Sequence, residues 1–262
     1  MNIEFTVREY FEELKLMEEQ YAQEEALYPW IYMLLKMIEC QKEHLHSGLY
    51  AGVSIRDVHN MKYKEDSSPI RKAIKCILKE KCGAPDIAII DKDSRYILGC
   101  VEIKSFAIKG RFQELVPGKY IVKKEVSSYT CEIKKTNGEK GETKKWKYET
   151  TPMLCVKNND AKNIDDIQLM SHLEKCEKVL YTDGLVFYFL RRTDKEIHVE
   201  KIGDLKVSFD AYKKNDDSYD TIQKTCADWN NLLGNLLKIN WHDGFKTQIL
   251  QSTNDISGKQ GK

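Results

Sequence analysis

The chain has 262 residues, of which 41% are apolar and 10% aromatic, which is enough for one sizeable core. Its 42 basic and 41 acidic side chains leave a formal net charge of +1, so any basic surface must be local. Eight cysteines without a C-x-x-C pair or zinc-finger spacing indicate reduced thiols in a cytoplasmic protein. The acidic N-terminal stretch and the lack of a long apolar run predict neither a secretory signal nor a membrane span.

The chain begins with a helical pattern. Apolar residues recur at helical spacing within residues 7–45, and Pro29 interrupts them, which predicts two helices or one kinked helix. Residues 51–60 fit a short strand. Residues 69–83 fit either a helix that Gly83 ends or a strand.

Two apolar segments and a polar turn follow in the stretch GAPDIAIIDKDSRYILGCVEIKSF. The segments IAII and YILGCVEI flank the turn DKDS, which predicts a β-hairpin. If the turn centres near Ser94, residues whose numbers sum to about 188 face each other, so Asp86 lies opposite Glu102. Side chains alternate along a strand, so Glu102 and Lys104 share one face. We therefore expect these three side chains to converge at one edge of the sheet.

Residues 119–149 differ in character from the segments before them. The turn signal TNGEKGE has alternating segments on both sides, which predicts a long, exposed β-hairpin or insertion. Nine lysines against five glutamates make this segment locally basic.

The remaining segments predict a helix, a hairpin and a last helix. Residues 164–179 fit an amphipathic helix with Asp165 and Asp166 in its first turn, where acids suit the helix dipole. The hairpin strands and the last helix are expected at residues 184–192, 196–203 and 226–239.

The converging acids at 86 and 102 predict a chemistry. Two carboxylates this close repel each other, so one stays protonated unless a cation lies between them. A hard divalent cation such as Mg²⁺ takes oxygen ligands and resolves the conflict. A lysine beside it can hold a water and stabilise charge on a phosphate. The pattern therefore predicts a site for phosphodiester hydrolysis.

Pro85-Asp86, followed by Glu102-Ile103-Lys104, resembles the signature of the PD-(D/E)XK nuclease superfamily. The resemblance implies that Asp86 and Glu102 bind Mg²⁺, for which Mn²⁺ can substitute, with the Ile103 carbonyl assisting. It also implies that Lys104 is the catalytic lysine.

The resemblance covers roughly residues 20–190. It implies an α/β fold of the α+β mixed kind, with a restriction-endonuclease-like core: a central mixed sheet flanked by helices, here with an inserted basic β-hairpin. We expect a single nuclease-like domain over residues 1–250, with the insertion at about 107–155 and a disordered tail at 251–262.

Many members of this superfamily carry an acid on the helix before the sheet. On a helical projection of residues 24–38, Glu24 lies near the apolar stripe and Glu25 lies about 100° away. Glu24 is therefore the predicted third carboxylate and metal ligand, with Glu25 as the alternative. A solvated position for both acids is the other interpretation.

Some members have a glutamine on the helix after the catalytic strand, often followed four residues later by tyrosine. Gln168 matches the glutamine, and His172 stands where the tyrosine is expected. The two share a helical face. Gln168 is predicted to orient the attacking water or a metal ligand, and His172 to contact a phosphate. The alternative for His172 is an ordinary surface or half-buried histidine.

The lysine-rich insertion predicts contacts with a nucleic-acid backbone, because lysine neutralises phosphate without reading sequence. The candidates are Lys134, Lys135, Lys144 and Lys145. The alternative is a solvated hairpin whose aromatic residues pack across its strands.

These features lead to the hypothesis of a metal-dependent nuclease, an endonuclease with DNA favoured over RNA as substrate. A role in prokaryotic defence or in a mobile element follows by analogy alone. The alternative is a catalytically inactive nucleic-acid-binding or protein-interaction module on the same fold. A homodimer is common among such endonucleases because two strands need two sites, and a partner protein stays open.

Overall fold

A computed structural model describes residues 6–20, 24–44, 53–57, 85–91, 97–124, 129–132, 145–148, 153–157, 164, 166–193 and 195–243. These residues form five α-helices, a short 3-10 helix at Glu24–Ala26 and ten strands. The helices are α1 (Val7–Glu19), α2 (Tyr28–His44), α3 (Ile167–Cys176), α4 (Lys206–Lys213) and α5 (Tyr219–Lys238). The strands are β1 (Val53–Asp57), β2 (Ile87–Asp91), β3 (Ile97–Ile103), β4 (Gly118–Lys124), β5 (Tyr129–Glu132), β6 (Lys145–Tyr148), β7 (Met153–Lys157), β8 (Lys178–Thr182), β9 (Val186–Arg192) and β10 (Glu196–Asp204).

Local signals fix where the first helices begin. Thr6 and Glu9 form a capping box at the start of α1: the Thr6 hydroxyl accepts from the Glu9 N–H at 3.2 Å, and the Glu9 carboxylate accepts from the Thr6 N–H at 2.6 Å. Pro29 is the second residue of α2, in the first turn, where a missing N–H costs little. The prediction of two helices is confirmed.

Eight strands form one mixed sheet in the order β1-β2-β3-β8-β9-β10-β4-β7. Only β3 and β8 run parallel among these neighbours; the other pairs are antiparallel. The predicted mixed α/β class with helices around a mixed sheet is confirmed at this level.

The hairpin of β2 and β3 has the predicted register. Ile87 pairs with Val101 and Ala88 with Cys100, so the paired numbers sum to 188, and Asp86 precedes β2 opposite Glu102. The predicted strand β1 and the predicted hairpin of β9 and β10 are also present. Residues 69–83, the turn at 92–96 and the tail at 251–262 lie outside the described residues.

The segment between β3 and α3 contributes to two sheets. Strand β4 pairs with β10 and β7, so two of its strands extend the central sheet. Strands β5 and β6 pair only with each other in a separate two-stranded sheet. Part of the predicted insertion therefore belongs to the sheet that carries the site.

The two faces of the sheet bury different clusters. Along β8, Val179 and Tyr181 point toward α3, whereas Leu180 points to the opposite face, which α1, α2, α4 and α5 cover. Three differences from the sequence predictions need correction. Helix α4 was not predicted, and α5 begins at Tyr219 rather than at residue 226. Helix α3 ends at Cys176, so residues 178–179 of the helix predicted over 164–179 belong to β8, a strand that was not predicted. Among the described helices, none has the length and apolar character to cross a membrane.

Candidate active site

The candidate site lies where β3 and β8 end. In this parallel pair, Glu102 is opposite Tyr181 and Ile103 opposite Thr182, and the Lys104 N–H donates to the Thr182 carbonyl at 2.9 Å. Parallel strands need a crossover connection, and α3 precedes β8 directly. The first turns of α3 therefore lie beside the last residues of β3.

Three side-chain contacts join β3 to α3. Lys104 contacts Gln168, Glu102 contacts His172, and the Cys100 thiol lies beside the Cys176 thiol. Two residues of a strand advance about 6.6 Å and four residues of a helix about 6.0 Å, so the two spacings nearly match. Because strand and helix run in opposite directions, every second strand residue meets every fourth helix residue.

Lys104 is buried among oxygen acceptors. Its ammonium donates to Glu102 Oε1 at 2.5 Å and to Gln168 Oε1 at 2.6 Å, and it lies 3.9 Å from Asp166 Oδ2. Burial alone would lower the pKa of Lys104, but the Glu102 carboxylate outweighs it and the pKa is raised. Lys104 is thus a firmly charged hydrogen-bond donor. The structure brings it together with Gln168.

Glu102 is 2% exposed, and both of its oxygens are engaged. Oε1 accepts from Lys104, and Oε2 lies 2.8 Å from His172 Nδ1. Burial acts to raise the pKa of Glu102, but His172 and then Lys104 outweigh it, so the pKa is lowered. Glu102 therefore stays a carboxylate.

Asp86 behaves in the opposite way. Its Oδ2 accepts from the Ile103 N–H at 2.7 Å, and its carboxyl group is hydrogen-bonded to the Tyr28 hydroxyl. Burial, followed by repulsion from Glu102, raises the pKa of Asp86 to about 8. The pKa values of the two facing acids are therefore shifted in opposite directions, and Asp86 holds a proton near neutral pH.

Glu24 approaches the site from the 3-10 helix. The predicted position on the helix before the sheet is wrong, because Tyr28 and Pro29 start a new helix and leave Glu24 in the turn before it. The Tyr28 hydroxyl donates to Glu24 Oε1 at 3.2 Å. Burial raises the pKa of Glu24 against the attraction of Lys104. Glu25 is exposed, so Glu24 is the acid that belongs to the site.

His172 does not lie on a surface open to a nucleic-acid backbone, contrary to the predicted phosphate contact. It is 2% exposed, and Nδ1 faces Glu102. Nδ1 is close to Glu102 Oε2 without a well-aligned hydrogen bond, and Nε2 has no hydrogen-bond partner within the described part of the chain. The lysine candidates cannot be placed in the same way. Lys134, Lys135 and Lys144 lie outside the described residues, and Lys145 lies in β6, where only the backbone is described.

Sequence reasoning did not assign three further residues of the site. Tyr28 links Asp86 to Glu24. Asp166 caps α3 by accepting from the Leu169 N–H at 3.0 Å, and the Tyr181 hydroxyl contacts Asp166 at 3.3 Å. Asp166 was predicted in the first turn; its cap position just before the helix turns its carboxylate toward Lys104. An acid before an apolar helical run is the sequence signal for such a cap.

An open cleft of about 590 Å³ lies beside Lys104. It is lined by Lys104, by Asp166 and Gln168 at the start of α3, and by residues 110–113 of the loop after β3. The Lys104 ammonium is therefore accessible from solvent along one side.

The donor set suits a hard divalent cation in chemical kind. Asp86, Glu102 and Glu24 are oxygen donors, and the raised pKa of Asp86 reports the repulsion that a cation would relieve. Within the described residues, however, no three His, Cys, Asp or Glu side chains are arranged as a ready metal site.

No protein-family model, curated protein or solved structure matches this chain. The resemblance to the PD-(D/E)XK superfamily therefore rests on the residues of the site alone and stays a prediction.

Proposed function

We propose that this protein is a metal-dependent nuclease that hydrolyses phosphodiester bonds, with DNA favoured over RNA and Mg²⁺ favoured as the metal. One observation carries the proposal. Asp86 and Glu102 face each other in the β2–β3 hairpin, and the ammonium of Lys104 contacts Glu102 at the edge of an open cleft. A restriction-endonuclease-like core is the finer fold that accompanies this proposal.

Three carboxyl groups would hold the metal: Asp86, Glu102 and Glu24, with the Ile103 carbonyl as a further ligand. When bound, the ion supplies positive charge that acidifies a water and neutralises a phosphate. The high pKa of Asp86 means that binding releases a proton from this carboxyl group near neutral pH.

Lys104 acts as a donor in this proposal and not as a base. Its raised pKa keeps it an ammonium, which has three N–H donors. Glu102 and Gln168 take two of them, which leaves one for a water or a phosphate oxygen in the cleft. Fixed charge of this kind favours a transition state that gathers negative charge on phosphate oxygens.

Gln168 and His172 position the two charged groups. Gln168 Oε1 accepts from Lys104, so the amide nitrogen stays a donor toward water or phosphate. His172 lies against the Glu102 carboxylate and lowers the pKa of Glu102, which favours the carboxylate form that binds a cation.

The test is cleavage of plasmid, linear and single-stranded DNA and of RNA with Mg²⁺ or Mn²⁺, and with EDTA as a control. We expect metal-dependent cutting that Asp86→Asn abolishes. Asp220→Asn on the exposed surface of α5 is the matched variant and should cut as the wild type does. Equal cutting by Asp86→Asn and the wild type would assign the activity to a contaminant and contradict the proposal.

One observation favours the alternative of an inactive binding module. Both oxygens of Glu102 are already engaged, so a metal must share or displace Lys104 or His172. A titration of melting temperature with Mg²⁺ separates the two functions. If there is no cutting and no metal-dependent rise in melting temperature, the nuclease proposal fails and the binding module is left.

A further inference from the structure

The loop between β3 and β4 forms one wall of the cleft beside Lys104. Residues 110–113 line the cleft together with Asp166 and Gln168. The cleft volume of about 590 Å³ falls within the roughly 300–1,000 Å³ typical of ligand sites.

The wall is anchored to the sheet. The Phe112 ring stacks on Tyr181 with centroids 4.8 Å apart, and the Gln113 N–H donates to the Tyr181 hydroxyl at 3.0 Å. Further along, the Tyr120 hydroxyl donates to the Val116 carbonyl at 2.6 Å. Tyr181 also contacts Asp166, so one tyrosine ties both walls together.

Just before Phe112, the chain makes an exposed turn. The Arg111 N–H donates to the Ile108 carbonyl at 3.2 Å, and Gly110 has φ of +82°, a conformation in which other residues are strained. A side chain at Gly110 would meet nothing within 4 Å, so glycine serves the turn and not close packing. The turn presents Lys109 and Arg111 to solvent on either side of this glycine. We name residues 109–111 the basic tip.

The carboxylates near the basic tip have partners elsewhere. Glu114 pairs with Lys206, and the Asp166 carboxylate is engaged by Leu169 and Tyr181. Within the described residues, no carboxylate forms an ion pair with the Arg111 guanidinium. A guanidinium at the edge of a cleft suits bidentate contact with a phosphate.

We propose that the basic tip is a phosphate-binding element of the substrate cleft, with Arg111 contacting the phosphodiester backbone of a polynucleotide beside the bond held at Lys104. The inference rests on the proposed function, because it places the same substrate in the same cleft. The contact is to the backbone, so it is independent of base sequence.

The test measures binding of a fluorescein-labelled, mixed-sequence DNA oligonucleotide by anisotropy, in EDTA, over a series of salt concentrations. One phosphate contact contributes about 0.7–0.9 to the slope of log K against log salt, so Arg111→Ala should lower that slope by this amount. Its affinity at about 0.1 M salt should fall roughly five- to eightfold. Arg111→Lys should retain most of the slope because it keeps the charge.

The matched control is Arg8→Ala, which removes the same exposed charge from α1 on the opposite face of the sheet. It should bind as the wild type does. If the wild type cuts and binds DNA but Arg111→Ala keeps the full slope and affinity, the inference is overturned and the nuclease proposal stands. If the wild type neither cuts nor binds any polynucleotide, both are overturned.

Discussion

The two faces of the central sheet use the same strands in different ways. Val101 and Ile103 of β3 join an apolar cluster with residues of α1, α2, α4 and α5. The alternate residues Glu102 and Lys104 meet polar partners on α3. One strand therefore contributes to a hydrophobic core and to a charged site. Burying charge costs free energy. We infer that the burial of apolar side chains on one face of the sheet offsets the cost of burying charged side chains on the face that α3 covers.

The strongest test of this division is Lys104→Met, which keeps the length of the side chain and removes its charge. We expect the cleavage rate to fall by two to three orders of magnitude, because a fixed donor to the phosphate is lost. Lys224→Met, at an exposed surface pair on α5, is the control and should cut normally. A loss below about threefold would exclude Lys104 from the chemistry.

The apolar face should respond in stability and not in activity. Leu34 of α2 is fully buried, and Leu34→Ala should lower the free energy of unfolding by about 2–5 kcal/mol through lost burial and the cavity it leaves. Urea unfolding measures the change. Cleavage per folded molecule should be unchanged, and a specific loss of cleavage would show that the two faces are not separable.

The contact between His172 and Glu102 joins the charged site to helix α3, and its loss is expected to lower stability less than the loss of a core leucine does. His172→Leu removes the group that offsets the burial of Glu102, so the pKa of Glu102 should rise and the free energy of unfolding should fall by about 1–3 kcal/mol. His172→Asn keeps a donor close to the position of Nδ1 and should recover part of the loss in urea unfolding. Equal losses in both variants would mean that His172 acts by packing alone.

The last expected effect is a pH dependence from Asp86 in the metal-free protein, and it is spread over several pH units. Its pKa is raised by folding, so its stabilising contribution is complete below its ordinary pKa and is lost as pH rises toward about 8. The wild type should lose at most about 1.4 kcal/mol per pH unit relative to Asp86→Asn between roughly pH 5 and 8.

Urea unfolding of both proteins across this range, in EDTA, measures the difference. Asp220→Asn should follow the wild type at every pH. A constant difference between the wild type and Asp86→Asn would show that the pKa of Asp86 is not raised by folding.

The parts of the site that local rules govern were predictable. The register of β2 and β3 follows from a short turn and strand alternation, and it placed Asp86 opposite Glu102 without any tertiary information. The shared face of Gln168 and His172 follows from helical spacing. Which strand residue each of them meets depends on the crossover to β8, so Glu102 as the partner of His172 was missed.

Other features depend on long-range packing or on a signal given too little weight. Strand β4 pairs with β10 although the partners Ile121 and Glu196 are 75 residues apart in the sequence, and no local pattern predicts that pairing. Glu24 is different, because Pro29 is a strong start signal and already placed a helix boundary just before itself. Tyr28 was not assigned to the site, although its hydroxyl links two acids.

The contacts between α3 and β3 depend on two spacings that are nearly, but not fully, equal. Each step accumulates a mismatch of about 0.6 Å between four helical and two strand residues, so only a few successive pairs stay aligned. The polar pairs Lys104–Gln168 and Glu102–His172 are successive contacts in this series. Adding or removing one residue of α3 between Gln168 and His172 would turn one of these two side chains away from β3 by about 100°. Such a change would separate the two polar pairs while leaving the strands of the sheet in place.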